Sequence, residues 1–316
     1  MDRDIEVVLR DLGVKIKMVY GLPIIKKAFN EVLEHYIFNG ETLISKSKMY
    51  AIEKSDSDTF TIYILHPRRS NPPLELLYWD QLLKRGMTLV HAAGVVWRNR
   101  TIIFPAWPET GKTSIVTSLL KFNRSAMLLG DDYIILSIDG HVYPYPRPFV
   151  IYSYHIPLFS EYFQRHPLDI IRLKIASKFL KIGLYSRFLK TFKIEEPLWI
   201  PVRKIFPQRL ASKGKIEKVF LLTRSLSTKN IIIKPLEKEA VITHMYLCLI
   251  YDLIAPVLQD AVALTYFGFI DLFKDLQRTL EILREALKQC ECYRLTLPKN
   301  IDLAEIITKL LLFLRD

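Results

Sequence analysis

The sequence predicts an α/β fold built on a mixed sheet. Three observations carry this. Strand-like and helical runs interleave along the whole chain, without the strict alternation of an all-parallel βαβ fold. Half of the 316 residues are hydrophobic and a quarter are charged, the profile of a folded chain with ample core. A strand, a short loop and a helix follow one another through RTIIFPAWPETGKTSIVTSLLKF.

The first 86 residues read as a small α+β region. IEVVL and KIKMVY, within residues 5–19, alternate as strands, and residues 23–36 have helical spacing. KMYAIE and TFTIYILH are further strands, followed by a turn-rich linker, HPRRSNPP. The helix LELLYWDQLLKRG closes the region at Gly86. Residues 87–316 form the second region. MTLVHAAGVVW and RTIIFPA are two strands joined by a tight turn at Arg98-Asn99-Arg100, with His91 inside the first. The helix KTSIVTSLLKF follows, then two strands within SAMLLGDDYIILSIDGHVYPYP, separated by Asp131-Asp132. A basic, helical insertion covers about 156–210. In 171–193 the spacing places Ile171, Ile175, Phe179, Ile182, Phe188 and Phe192 along one side, with Gly183 breaking the run. EKVFLLT and NIIIKPL are strands, 237–289 holds two or three apolar helices, CYRLTLP is a strand beginning at Cys290-Glu-Cys292, and Asp302 caps a last helix.

The formal charge is +12, and nine of that excess fall between Glu161 and Phe220. Such a segment attracts anions: nucleotides, acidic peptides or nucleic acid. As a helix it serves as a docking arm, a lid, or an ordinary amphipathic element. Three cysteines without histidines at zinc spacing exclude a disulfide framework and fit a cytoplasmic setting. The N-terminus lacks the apolar stretch of a signal peptide, and the apolar region 241–273 is interrupted by Asp252, Pro256, Asp260 and Asp271, so no membrane span is expected.

The chemistry concentrates at Ala106-Trp107-Pro108-Glu109-Thr110-Gly111-Lys112-Thr113-Ser114. A phosphate-binding loop needs converging backbone N–H groups, a lysine for the β and γ phosphates and a hydroxyl for Mg²⁺, between a strand and a helix N-terminus. This segment has all of them, with alanine at the position usually held by glycine. Trp107 and Pro108 cover the loop, stack on a base or pack. Glu109 points outward or reaches Mg²⁺ through water. Asp131 and Asp132 follow an apolar run, where a strand ends. They converge if the strand breaks there and face apart if it does not. ATP and Mg²⁺ are the expected ligands.

LVHAAGVVWRNRTIIFPAWPETGKTS, LLGDDYIIL and GHVYPYPRPF together resemble the catalytic core of the HPr kinase/phosphorylase superfamily, which shares its nucleotide core with the ATP-dependent phosphoenolpyruvate carboxykinases. The likeness is densest over 89–150 and leaves the first 86 residues outside. It implies Lys112 on the phosphates, Thr113 and Asp132 on Mg²⁺, and Asp131 as the base for an attacking hydroxyl. His91 would support the acid or the phosphate, and Arg147 would approach the transferring group. It also implies assembly into a homo-oligomer. Where the bifunctional enzymes carry a glutamate in an EIRG-like stretch, this chain reads Tyr145-Pro146-Arg147-Pro148, so the phosphorylase signature is missing and HPr is not implied as the acceptor. The expected activity is Mg²⁺-dependent transfer from ATP to a hydroxyl on a protein, a peptide serine or a small molecule. A regulatory nucleotide-binding module and a nucleic-acid-associated ATPase are the alternatives.

Overall fold

The computed structural model describes residues 8–20, 36–38, 42–45, 50–56, 59–64, 71–181, 197–299 and 302–314. It is an α/β fold of mixed sheets and helices. Residues 23–35 of the helix expected over 23–36, Gly183 and the apolar positions from Ile182 to Phe192 lie outside the described residues, and Tyr36 begins a strand.

The N-terminal part is a five-stranded sheet in the order β1-β5-β4-β3-β2, with β1 (Lys15–Tyr20), β2 (Tyr36–Phe38), β3 (Thr42–Ser45), β4 (Tyr50–Asp56) and β5 (Thr59–Ile64). Only β1 and β5 run parallel. The expected strand IEVVL is not formed over its described part: residues 8–11 are helical and place Leu9 in the core. Helix α1 (Leu74–Leu83) buries Leu76, Leu77, Trp79, Leu82 and Leu83 in one cluster that takes in this sheet and residues 249–282. That continuous apolar contact ties the first region to the second.

The second part holds a nine-stranded mixed sheet. Strands β6 (Met87–Val90), β7 (Ala92–Trp97), β8 (Arg100–Pro105), β9 (Met127–Gly130), β10 (Ile134–Ser137) and β11 (His141–Pro144) precede a separate antiparallel pair, β12 (Phe149–Ile151) with β13 (Leu198–Ile200). The long β14 (Gly214–Ser225) pairs with β11 through its first residues, then runs parallel to β8 on one side and to β16 (Glu291–Pro298) on the other. β15 (Ile232–Pro235) closes that edge. Phe104, Phe220 and Tyr293 stack across β8, β14 and β16 at 5.8 and 5.4 Å, and Phe313 meets Tyr293 edge-on at 4.8 Å. The β7–β8 hairpin turns on Arg98 and Asn99, both at positive φ, as a two-residue turn requires.

The helices are α2 (Lys112–Phe122), α3 (Ser160–Arg165), α4 (Pro167–Lys181), α5 (Val202–Ile205), α6 (Lys238–Leu249), α7 (Leu258–Tyr266), α8 (Leu272–Ala286) and α9 (Leu303–Phe313). Among the described side chains of α4, Leu173 and Ala176 are buried, Ile175 is half-buried and Ile171 is exposed, so Ile171 does not share the buried face expected for it. Pro167 starts a new helix and fixes its phase independently of the preceding turn. The Asp302 cap is present: its Oδ1 accepts from Ala304 N at 3.1 Å. From Lys238 to Tyr266 the chain is helical throughout, long and apolar enough to cross a membrane by length and composition alone. Val241, Met245, Cys248, Leu249, Ala261 and Leu264 of this run are buried in the core.

Asp80 on α1 and Asp275 on α8 are both buried. Burial, then the charge of Asp80, raises the Asp275 carboxyl to about 7. An unfolded aspartate ionises near 4. Between those values the unfolded chain has released a proton that the folded chain keeps. Stability therefore falls as pH rises from about 4 to about 7 and is level beyond. Asp275→Asn should raise the melting temperature at pH 8 and leave it unchanged at pH 3.

Candidate active site

Two chain crossings build the site. β6 pairs with β10, while β7 pairs with β8 and β9, and His91 is the single residue between them. The strand expected to run through His91 is thus two strands, and His91 stands at the break. The acid pair makes the reciprocal crossing: β9 pairs with β7 and ends at Gly130, and β10 leaves toward β6 from Ile134. Register sets these crossings side by side, since Gly94 opposes Gly130 and Ala92 opposes Pro105, the last residue of the loop strand β8. His91, Asp131, Asp132 and the 106–114 loop therefore meet at one end of the sheet.

Gly130 permits the bend. A Cβ there would lie 2.1 Å from the Tyr133 carbonyl oxygen and 3.2 Å from Ile134 Cγ2. Gly130→Ala should destabilise the fold by about 3 kcal/mol, read from the urea midpoint, because backbone must move to admit it. Since the strand breaks at Gly130, both acids turn toward the same cavity.

Ala106 is fully buried and keeps a negative φ, so the usual glycine position carries no strain. Positive φ falls instead on Glu109 (61°) and Gly111 (111°). For Glu109 that conformation costs about 1–2 kcal/mol, and it turns the exposed side chain to the cavity rim. Trp107 packs edge-on against His244 and Tyr251 at 5.6 and 5.4 Å, which anchors the loop to α6 and the turn after it. Arg224, at the end of β14, donates to Thr110 O at 3.1 Å and Lys299 O at 3.2 Å, bracing the loop from the other side. α2 starts at Lys112 and is held by buried Ile115, Val116, Leu119 and Leu120, so its N-terminus faces the cavity.

The cavity is about 630 Å³. Lys112 is 7% exposed, and its ammonium donates to Ala106 O at 2.8 Å and Trp107 O at 3.3 Å and meets His91 Nε2 at 2.6 Å. Burial pulls its pKa below the usual lysine value, against the opposing charges of Asp132 and Asp131. Thr113 Oγ1 donates to Asp131 Oδ2 at 2.9 Å, and Asp131 Oδ1 is buried without a partner. Burial, then the charge of Asp132, pushes the Asp131 carboxyl up to about 7. Asp132 is more open. Its Oδ2 accepts from Arg147 at 3.0 Å, and its Oδ1 lies 3.8 Å from His91 Nδ1. Arg147 also reaches Glu75 of α1 at 3.8 Å and covers the rings of Tyr133 and Trp199. Ser114, Thr110 and Pro108 complete the loop side of the wall.

No protein-family model and no curated protein matches the chain.

Every expected site residue except Ala106 and Trp107 lines this one cavity, and those two give Lys112 its backbone acceptors. Of the two acids, Asp131 is the one on the Thr113 hydroxyl and Asp132 the one more open to the cavity. Sequence reasoning missed Arg224, Asp252, Trp199, Tyr154 and His155, which also face the cavity. Arg224 was the most accessible of these, since it ends a strand parallel to the loop strand. Asp252 had no local signal, because it lies on a helical run that meets the site only through tertiary packing. Among the described residues no three His, Cys, Asp or Glu side chains form a metal-holding group.

Proposed function

We propose that this chain is a cytoplasmic, ATP-dependent phosphotransferase of the HPr-kinase-like kind, which moves phosphate to a hydroxyl on a protein, a peptide serine or a small molecule. The observation that carries the reading is the convergence of Lys112, Thr113, Asp131, Asp132 and His91 on one cavity at the N-terminus of α2. Positioning and charge stabilisation are nearly all that phosphoryl transfer asks of a protein.

The residues fit ATP with Mg²⁺. The backbone of 108–113 and the start of α2 suit phosphate oxygens, and Lys112 supplies the cation. Thr113 and Asp131 would hold Mg²⁺: the buried, unpartnered Asp131 Oδ1 beside the Thr113 hydroxyl suits a cation. Two protein oxygens are enough, because Mg²⁺ in such sites completes its shell with phosphate and water. Bound there, the ion would neutralise charge on the phosphates.

Asp132 then acts as the base, the reverse of the assignment that the sequence resemblance implies. It is partly open, faces the cavity and is oriented by Arg147. The acceptor oxygen bonds to the terminal phosphorus as the bond to the ADP oxygen breaks, and the hydroxyl proton passes to the Asp132 carboxylate. Trp199 and Tyr154, both more than half exposed at the cavity, form the wall an acceptor would meet.

The test is transfer of labelled terminal phosphate from Mg-ATP to serine peptides and to a cytosolic small-molecule extract. A labelled acceptor that depends on Asp132 supports the reading. ATP binding with no labelled acceptor in either pool replaces it with a regulatory nucleotide-binding module.

A further inference from the structure

An ammonium group has three N–H bonds, and that of Lys112 has three acceptors: the carbonyls of Ala106 and Trp107, and His91 Nε2. Every donor is thus in use in this state of the site. The two carbonyls belong to the loop backbone. His91 is the one acceptor on a side chain, and so the one that can yield.

A ring nitrogen accepts only when it carries no proton. An imidazolium would set an N–H against the Lys112 ammonium at 2.6 Å, like charge on like charge. His91 is therefore neutral, with Nε2 bare and its proton on Nδ1. That nitrogen stands 2.9 Å from Asp252 Oδ2. Both atoms are sealed from solvent and neither has an aligned hydrogen-bond partner in this state, so the pair stands at ion-pair distance. Asp252 reaches this place from the π-helical turn Ile250–Ile254, which interrupts the run between α6 and α7. Such turns re-aim side chains that a regular helix would direct elsewhere.

We infer that Asp252 is a positioning residue: it fixes His91 in the Nδ1–H tautomer and so makes Nε2 a latch that holds Lys112 back in the loop. A carboxylate behind a histidine sets which nitrogen carries the proton. When Lys112 turns to a phosphate it leaves His91, whose Nδ1 is already 3.8 Å from Asp132. The latch competes with phosphate for Lys112, so part of the intrinsic affinity of the site is spent on releasing it. The tautomer stands on geometry alone. Its consequence for ligand affinity rests on the reading of Lys112 as the phosphate-binding lysine.

Two measurements on the full chain test this separately. The first is ¹⁵N NMR of histidine-labelled protein without nucleotide at neutral pH, with His91 assigned by comparison with His91→Gln. The expected result is a neutral ring protonated on Nδ1. It should persist in Asp252→Glu and be lost in Asp252→Asn, whose amide can donate to Nδ1 and drive the proton to Nε2. An Nε2–H ring or an imidazolium in the wild-type protein overturns the inference, whatever the mutants do. The second is calorimetric titration with Mg-ATP. Asp252→Asn should bind about fivefold more tightly than wild type, because an acceptor competing with phosphate is gone, and Asp252→Glu should match wild type. A weaker or unchanged affinity in Asp252→Asn contradicts the latch, since a merely structural role predicts loss. Failure of the wild-type chain to bind ATP would remove the proposed function and leave the tautomer measurement to decide the latch.

Discussion

Lys112→Ala lowers affinity for Mg-ATP by about a hundredfold and leaves the fold standing. The lysine carries the only ammonium lining the cavity among the described residues. A hydrogen bond to a charged group is worth about 1.5–3 kcal/mol, and the Lys112 ammonium has three donors to place on phosphate oxygens. Losing one such contact and part of a second, about 3 kcal/mol in all, gives that factor. The fold survives because Lys112 contributes little apolar packing, while α2 is held by Ile115, Val116, Leu119 and Leu120. Its removal leaves the carbonyls of Ala106 and Trp107 without that donor, and the cavity beside them admits water. Calorimetry gives the affinity, and the urea midpoint shows whether the chain remains folded.

The second large effect separates the two acids. Asp132→Asn should reduce phosphate transfer by two to four orders of magnitude, the range typical of a general base, with Mg-ATP affinity within about threefold of wild type. The amide keeps the shape and can still accept from Arg147, but it cannot take a proton. Asp131→Asn should behave differently. Its carboxylate is set against the Thr113 hydroxyl in the buried part of the site, so the loss should fall on Mg²⁺-dependent nucleotide affinity. Measuring turnover and affinity for both variants distinguishes this assignment from its reverse. If Asp131→Asn abolished transfer with affinity intact and Asp132→Asn lost Mg²⁺ dependence, the roles implied by the sequence resemblance would hold instead.

The α/β class was legible because strand and helix periods were strong from residue 87 onward. The strand–loop–helix through Gly111 needed no tertiary information: the apolar run of β8, a turn and an amphipathic α2 are all local. The split at His91 was not legible. LVHAAGVV is continuous in β-forming residues, and the break comes from pairing, since β6 and β7 take different partners. For the acid pair the sequence left two geometries open, and the bend at Gly130 decides between them. Near the N-terminus, IEVVL has strand composition, yet residues 8–11 are helical, and Leu9 is placed by packing rather than by local preference. Asp252 illustrates the harder limit. Its acid stands among apolar residues with only its spacing from His244 and Cys248 as context, and nothing local says that the run bends toward Lys112.

The most direct test of the nucleotide site is calorimetric titration of the purified wild-type chain with ATP in the presence and absence of Mg²⁺. The account predicts saturable binding of one ATP per chain, with a dissociation constant on the order of micromolar, tightened by Mg²⁺ and lost in Lys112→Ala. Absence of binding up to millimolar ATP, or binding that Lys112→Ala leaves unchanged, would contradict it.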